Sequence, residues 1–147
     1  MTSQLNVDTI VDKAGSGGTN VKVGNTSTYV SDGGNVTQNT VQGIAKAWVN
    51  FNGTGTIATR DSFNVSSLND DGTGKYDVVF TNNMNNANYS AIGIGALNTG
   101  DSNGETTGQC RRIAPTTTLF GIRGNAVAGA TASDIEFAYG LAHGDLA

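Results

Sequence analysis

The chain has 147 residues, enough for one domain or for a small domain with an appendage. Charged residues make up only 14%, the net charge is −4 and the basic residues are scattered, which excludes the phosphate-neutralising patch of a nucleic-acid-binding protein. The single cysteine, Cys110, and the single histidine, His143, exclude an internal disulfide framework and a zinc site.

Small polar residues take the place of the missing charge, with 21 Gly, 19 Thr and 17 Asn. Gly and Asn favour turns and Thr favours strands, whereas the helix-forming residues Leu, Glu, Lys and Arg are scarce. This composition predicts an all-β protein of short strands and tight turns. No apolar run approaches the roughly 20 residues that cross a bilayer, and no secretory signal is recognisable at the N-terminus, so we expect no membrane insertion.

Residues 1–43 are polar, and their short alternating segments cannot enclose a core. Gly15–Gly18 and Asp32–Asn35 are typical of turns or linkers. Two interpretations remain open: a flexible arm, or a segment that is ordered only against copies of itself or a larger assembly. The residues expected to make such contacts are Leu5, Val7, Ile10, Val21 and Val23.

The junction at residues 36–47 is compatible with one helical turn or with an extended link. A strand is predicted beyond it, because Ala47, Val49 and Phe51 alternate with polar or aromatic neighbours. Asn52–Gly55 is predicted to be a turn, and Ile57–Arg60 a second short strand.

Ser62–Leu68 is predicted to be a third strand. Asn69–Gly74 has the composition of a hairpin turn, and the clearest alternation of the chain follows at Tyr76, Val78 and Phe80. In such a hairpin, Phe63 and Val65 would face Val78 and Phe80. The turn composition also outweighs a calcium site at Asp70 and Asp71, because the EF-hand spacing is lacking.

Asn82–Asn88 is predicted to be a polar loop, and Tyr89–Ala96 a strand. Gly93 and Gly95 leave one face of that strand bare, which indicates the close approach of another backbone or of a ring. Residues 95–108 form a polar, acidic segment that we expect to be an exposed loop.

Three further strands are predicted in the remainder of the chain, at Gln109–Ala114, Leu119–Arg123 and Asp134–Leu141, with a loop at Asn125–Ala132. In the last strand, one face carries Ile135, Phe137, Tyr139 and Leu141, and we expect it to point inward. Cys110 is expected to be a small core residue, and His143 a solvated residue of the C-terminal tail.

Four short motifs follow one another between residues 46 and 89. They are Lys46–Thr56 (KAWVNFNGTGT), Arg60–Ser67 (RDSFNVSS), Asp70–Phe80 (DDGTGKYDVVF) and Met84–Tyr89 (MNNANY). Each motif is weak, but the combination resembles a module that recurs in tail-fibre and related fibre proteins of marine bacteriophages. The opening segment LNVDTI is similar to a start common in the same proteins. Many relatives have Pro after the Met where this chain has Asn85, a difference that affects the loop and not the fold.

The resemblance implies a virion surface protein that is commonly homotrimeric and has a β-rich tip. We therefore expect an antiparallel, jelly-roll-like β-sandwich at residues 44–147, preceded by a short β-rich arm or stalk at residues 1–43 for trimerisation and virion docking. The expected partners are two further copies, other virion proteins of the tail or capsid, and a host surface glycan or protein. The expected location is the virion, after synthesis in the cytoplasm of the bacterial host.

The function expected from this resemblance is that of a short tail-fibre-like appendage whose β domain faces the host cell. The alternative is a capsid decoration, cement or head-fibre protein that stabilises the phage head. The short chain favours either this alternative or a short appendage. No enzyme activity and no cofactor are expected: a glycan-degrading tailspike would need paired carboxylates, and no Asp, His and nucleophile can be placed in one cleft.

Receptor contacts are expected in two polar loops, because loops carry recognition more often than the scaffold that holds them. The candidate residues are Asn82, Asn83, Asn85, Asn86, Asn98, Asp101, Asn103 and Glu105. The rings of Tyr29, Trp48 and Tyr89 are alternatives for stacking on a glycan, although such a ring is more often a core residue than a contact.

Overall fold

The computed structural model describes residues 27–30, 37–96, 106–109, 115–126 and 132–147. Within this part, the structure is 61% strand and 4% helix with antiparallel sheets, so the predicted all-β class is confirmed. The chain divides into two units, Met1–Val41 and Gln42–Ala147. The arm positions lie outside the described residues, namely Leu5, Val7, Ile10, Val21 and Val23.

In the first unit, the strands β1 (Thr28–Val30) and β2 (Thr37–Asn39) pair antiparallel. Thr40 donates two hydrogen bonds to the Ser27 carbonyl, one from its backbone N–H and one from its hydroxyl, each 2.9 Å long. A helical turn, α1 (Thr40–Gly43), begins at the same residue. Of the two conformations left open for the junction, the chain therefore adopts the helical turn.

The second unit contains two four-stranded antiparallel sheets. The first sheet has the order β4-β3-β10-β7, with β3 at Ala45–Asn52, β4 at Ala58–Phe63, β7 at Ser90–Ala96 and β10 at Phe137–His143. The second sheet has the order β5-β6-β9-β8, with β5 at Val65–Asp70, β6 at Lys75–Phe80, β8 at Thr106–Gln109 and β9 at Leu119–Ala126.

One hydrophobic core receives side chains from both sheets. As predicted, Val49 and Phe51 of β3 are buried, and so are Tyr76, Val78 and Phe80 of β6. The rings of Phe51 and Tyr76, one from each sheet, meet edge to face with their centroids 5.2 Å apart. Such contacts add about 0.5–1.5 kcal/mol to the burial of the rings.

Large side chains of the second sheet lie over small residues of the first. A Cβ atom at Gly140 would lie 2.9 Å from Cζ of Phe120, and one at Gly93 would lie 2.9 Å from Cγ1 of Ile122. The close approach predicted for β7 is therefore present, but an isoleucine side chain makes it instead of a backbone or a ring. The same holds at Gly95, where a Cβ would overlap with Cγ2 of Ile135.

The inward face predicted for the last strand is wrong. In β10, Ala138, Gly140 and Ala142 point to the core, whereas Tyr139 is exposed. The reason is steric, because Phe120 and Ile122 already fill the space beneath β10 and leave room only for small residues. Ile135 is buried as expected, but it precedes the strand.

The predicted strand Ser62–Leu68 is also wrong, since the chain passes from the first sheet to the second at Asn64. Asn64 has φ 56°, a left-handed conformation that Asn tolerates better than most residues. Phe63 consequently pairs with Trp48 in the first sheet, whereas Val65 pairs with Phe80 in the second, as predicted. The Asn64 side chain stabilises the corner by donating to the carbonyls of Lys46 and Asn82, at 3.0 and 3.1 Å.

Two boundaries in the C-terminal part differ from the prediction. Thr106–Gly108, expected in a loop, belong to β8, and Asn125 and Ala126 belong to β9. Of the predicted strand Gln109–Ala114, only Gln109 lies among the described residues, and Cys110 does not.

The hydroxyl of Tyr76 connects the two sheets inside the core. It donates to the Gly53 carbonyl at 2.9 Å, accepts the N–H of Ile135 at 3.0 Å and lies 3.3 Å from Oδ1 of Asp134. Gly53 must lack a side chain, because a Cβ there would lie 2.6 Å from Cζ and from the hydroxyl oxygen of Tyr76. Burial, as the main cause, raises the pKa of Tyr76 to about 12.

Truncation of Phe80 tests the core. Its ring lies 5.7 Å from those of Tyr89 and Phe120, centroid to centroid, so Phe80→Ala should lower the free energy of unfolding by about 3–5 kcal/mol through lost burial and a cavity. Urea denaturation followed by circular dichroism measures the change. The Phe80→Leu variant keeps most of the apolar volume and should lose clearly less, and a near-neutral Phe80→Ala would contradict the assigned core.

Alkaline pH tests the Tyr76 hydroxyl. The folded chain holds this proton more tightly than the unfolded chain, whose tyrosines titrate near pH 10, so stability should fall as pH rises from about 10 to about 12. Tyr76→Phe should weaken that fall, and at neutral pH it should cost about 1–3 kcal/mol, because Gly53 and Ile135 lose a buried partner. Denaturant melts at pH 8 to 12 measure both effects, with Tyr29→Phe, an exposed hydroxyl of the first unit, as the control that should retain the wild-type profile.

Candidate functional site

The polar loop predicted at Asn82–Asn88 presents its asparagines to solvent, within the loop at residues 81–88. Asn82, Asn83, Asn85 and Asn86 are all exposed, whereas Met84 between them is buried in the core. A single apolar anchor therefore divides the loop into two pairs of outward amides.

Backbone hydrogen bonds hold the loop in place on both sides of this anchor. Met84 donates its N–H to the Thr117 carbonyl at 2.8 Å and forms an isolated bridge with Leu146. Asn85 donates to the Asp145 carbonyl at 2.8 Å, and the Asn83 carbonyl accepts the N–H of Ala147 at 3.0 Å. The C-terminal segment thus pairs with the loop like a short strand and orders its backbone.

The second candidate loop cannot be placed in the same way. Four predicted contact residues lie outside the described residues, namely Asn98, Asp101, Asn103 and Glu105.

A polar cleft of about 230 Å³ opens beside the loop at residues 81–88. It lies at the end of the first sheet where β7 begins and β10 ends. The residues that line it are Gln42, Asn86, Asn88, Tyr89, Ser90, His143, Gly144 and Asp145. Amide, hydroxyl, imidazole and carboxylate groups therefore converge on one small space.

Internal hydrogen bonds arrange part of this lining. The Gln42 amide donates to Oδ2 of Asp145 at 3.3 Å, and Oδ1 of Asn86 accepts the N–H of Asn88 at 2.8 Å. Nearby, burial lowers the pKa of Lys46, and the Asp145 carboxylate acts in the opposite direction. The lining offers both donors and acceptors, which is what recognition of a polyhydroxylated ligand requires.

The three aromatic candidates for glycan stacking lie in different surroundings. Tyr89 lines the cleft, but its hydroxyl donates to the Leu119 carbonyl at 2.8 Å and its ring packs edge to face on Phe80, so the ring belongs to the wall of the core. Trp48 is partly exposed on the first sheet, and Tyr29 is exposed in the first unit.

The sequence analysis missed the contribution of the C-terminus to this cleft. His143, expected in a solvated tail, ends β10 and is half-buried, and Asp145 follows it. No local pattern could indicate this. The position of both residues depends on the pairing of the C-terminal segment with a loop that lies about 60 residues earlier in the chain. The only local signal was the alternation of apolar residues in the last strand. It predicted a strand that ends at Leu141, whereas β10 continues to His143.

A second expectation fails at the same place, since an Asp, a His and a nucleophile do line one cleft. Ser90 and His143 are direct partners in the antiparallel pair of β7 and β10, and Asp145 is two residues further on. No hydrogen bond joins the side chain of Ser90 to that of His143, or the side chain of His143 to that of Asp145, whereas a nucleophile and its base need such a contact. The three residues share a cleft without the arrangement of a catalytic triad.

Across the part of the chain that the structure describes, no three His, Cys, Asp or Glu side chains are close enough to hold a metal ion together. Asp70 accepts the N–H of Gly72 at 2.9 Å and so serves the hairpin turn. None of the helices in that part has the length and apolar character of a membrane span. Comparison of the chain with protein-family models, with curated proteins and with solved structures finds no match.

Replacement of Met84 tests the anchor of the loop. Met84→Ala should lower the free energy of unfolding by about 2–5 kcal/mol and should speed amide hydrogen exchange at Asn85 and Ala147, because the backbone pairs depend on the buried side chain. Met84→Leu, which conserves volume, should cost less than about 1.5 kcal/mol and leave that exchange slow. Unchanged exchange in Met84→Ala would show that the loop is held by its hydrogen bonds alone.

Proposed function

We propose that the protein is a structural component of a phage virion, a short tail-fibre-like appendage whose C-terminal β unit faces the host cell and binds a surface glycan or protein there. The motifs between Lys46 and Tyr89 support the virion role by their resemblance to marine phage fibres. The observation that carries the receptor role is the polar cleft beside the anchored asparagine loop. A rigid scaffold that presents exposed amides is a common way to build a recognition surface.

The finer architecture is part of the same proposal. The two sheets share one core, and we assign them to a β-sandwich tip, with residues 1–43 as the arm that trimerises and docks on the virion. The hairpins β3–β4 and β5–β6 each remain within one sheet. The proposed sandwich therefore departs from a jelly roll, in which successive strands mostly alternate between the sheets.

The proposal includes binding and assembly but no catalysis. Ser90, His143 and Asp145 contribute polar groups to the cleft, and none of them is hydrogen-bonded as an activated nucleophile or its base. Their donors and acceptors are suited to ligand hydroxyl or amide groups.

Imaging of phage particles labelled with antibodies against the protein tests the virion role. We expect label at the tail. Label confined to the capsid would replace the tail-fibre role with that of a decoration, cement or head-fibre protein. Particles without label would contradict both virion roles.

Binding of the purified protein to host cells tests the receptor role. Asn88→Ala removes a cleft amide whose side chain makes no internal hydrogen bond, and it should weaken binding about two- to tenfold, the range expected for one lost hydrogen bond. Asn69→Ala is the matched control, because Asn69 is exposed in β5. It lies near the turn of the β5–β6 hairpin, at the end opposite to the loop at residues 81–88. Wild-type protein that binds no better than an unrelated protein would contradict the receptor role. An equal loss of binding in both variants would show that the loss does not come from the cleft.

A further inference from the structure

The outer face of the first sheet carries a continuous row of apolar side chains across all four strands. Phe63 of β4 pairs with Trp48 of β3, Trp48 pairs with Leu141 of β10, and Leu141 pairs with Ile92 of β7. Two residues further along the same strands, Tyr139 of β10 pairs with Ile94 of β7. Neighbouring strands lie about 4.8 Å apart, so these side chains form one patch rather than scattered contacts.

This patch, which we call the apolar face, is unusually open to solvent for its composition. The exposed fractions are 36% for Trp48, 53% for Phe63, 62% for Ile92, 61% for Ile94 and 41% for Tyr139. Isolated exposed apolar residues are ordinary, but a contiguous group of this kind marks an interaction site.

We propose that the apolar face packs against another copy of this chain and is the contact that holds the β units of neighbouring copies together. The inference rests on the proposed function only for the number of copies, since the face is observed independently of any role in a virion.

The exposed apolar area of the face matches the apolar area that each partner contributes to a standard protein–protein interface. Its five exposed side chains together offer on the order of 500 Å², from their exposed fractions and the usual surface of such residues. A stable interface covers about 800 Å² on each partner, and in homo-oligomers about 65% of it is apolar, which also amounts to roughly 500 Å².

The centre of the face lacks the charges that would keep a second copy of the chain away. The chain has a net charge of −4, so copies repel one another over most orientations. The row from Phe63 to Ile92 contains no charged residue, and Asp61, in the next row, lies on the edge strand β4. Contact through this face therefore brings two acidic chains together without opposing like charges at the centre.

Neighbouring polar groups are poorly placed to bind a glycan on this face. Arg60 lies over the ring of Phe137, 4.6 Å from its centroid, and donates to the carbonyls of Phe51 and Glu136 at 2.7 and 2.8 Å. Oδ1 of Asn50, which lies in the same row as Tyr139 and Ile94, is buried and has no hydrogen-bond partner in the described part of the chain. A sugar stacked on Trp48 would find few accessible donors or acceptors, whereas an apolar surface needs none.

The single tryptophan makes the proposal directly measurable. Trp48 lies in the central strands of the face and is the only Trp of the chain, so its fluorescence reports on this surface alone. On dilution of the purified protein, we expect its emission to shift to longer wavelength in step with the dissociation seen by analytical ultracentrifugation.

The test variant is Ile92→Lys, which places a charge on the face without touching the core. We expect it to raise the dissociation constant at least tenfold and to leave Trp48 solvated at concentrations where the wild type is associated. Ser67→Lys adds the same charge at an exposed position of the second sheet and should associate like the wild type. Unchanged far-UV circular dichroism in both variants shows that the fold is retained.

The outcomes separate this inference from the proposed trimer. A trimeric wild type with a monomeric Ile92→Lys supports both, and a dimeric wild type with a monomeric variant supports the apolar face but contradicts the trimer. A trimeric wild type with an equally trimeric Ile92→Lys contradicts the apolar face and leaves the trimer in place. A wild type that is monomeric at every concentration contradicts both, and a buried Trp48 in that monomer would assign the face to another part of the same chain.

Discussion

The buried hydroxyl of Tyr76 is the interaction on which the rest of the second unit depends. Polar groups of three elements meet at it inside the described core: β6 supplies the ring, the turn after β3 supplies the Gly53 carbonyl, and the segment before β10 supplies the Ile135 N–H. A buried group of this kind is costly when unpaired and specific when paired. It therefore fixes the relative position of the two sheets more strictly than apolar packing alone could.

The turns around this hydroxyl explain why two glycine-rich motifs occur in the chain. Gly53 is required by the closeness of the Tyr76 ring, and Gly74 has φ +64° with backbone atoms of Gly124 and Ser133 within 2.6 Å of a would-be Cβ. The N–H of Gly74 donates to Asp134 at 2.7 Å, next to the same hydroxyl. The two motifs thus serve one structural junction.

Complementary sizes across the core decide which surfaces remain for function. Because Phe120 and Ile122 fill the space beneath β10 and β7, these two strands turn glycine and alanine inward and their large side chains outward. The same packing that stabilises the monomer therefore creates the apolar face. The polar cleft lies at the end of that sheet, so the surface proposed for association and the site proposed for recognition are separate parts of one scaffold.

The sequence by itself determined the all-β class, the strands β3 and β6 with their inward residues, the hairpin turn at Asn69–Gly74 and the polar loop that follows β6, because alternation and turn composition are local properties. Only the tertiary structure decided the inward face of β10, the corner at Asn64 and the place of His143 and Asp145 in the cleft. In each of these cases the decisive partner is distant in sequence: Phe120 and Ile122 for β10, Asn82 for Asn64, and the loop at residues 81–88 for the C-terminus. A period of two shows that a strand has two faces, but which of them is buried depends on what the opposite sheet places there.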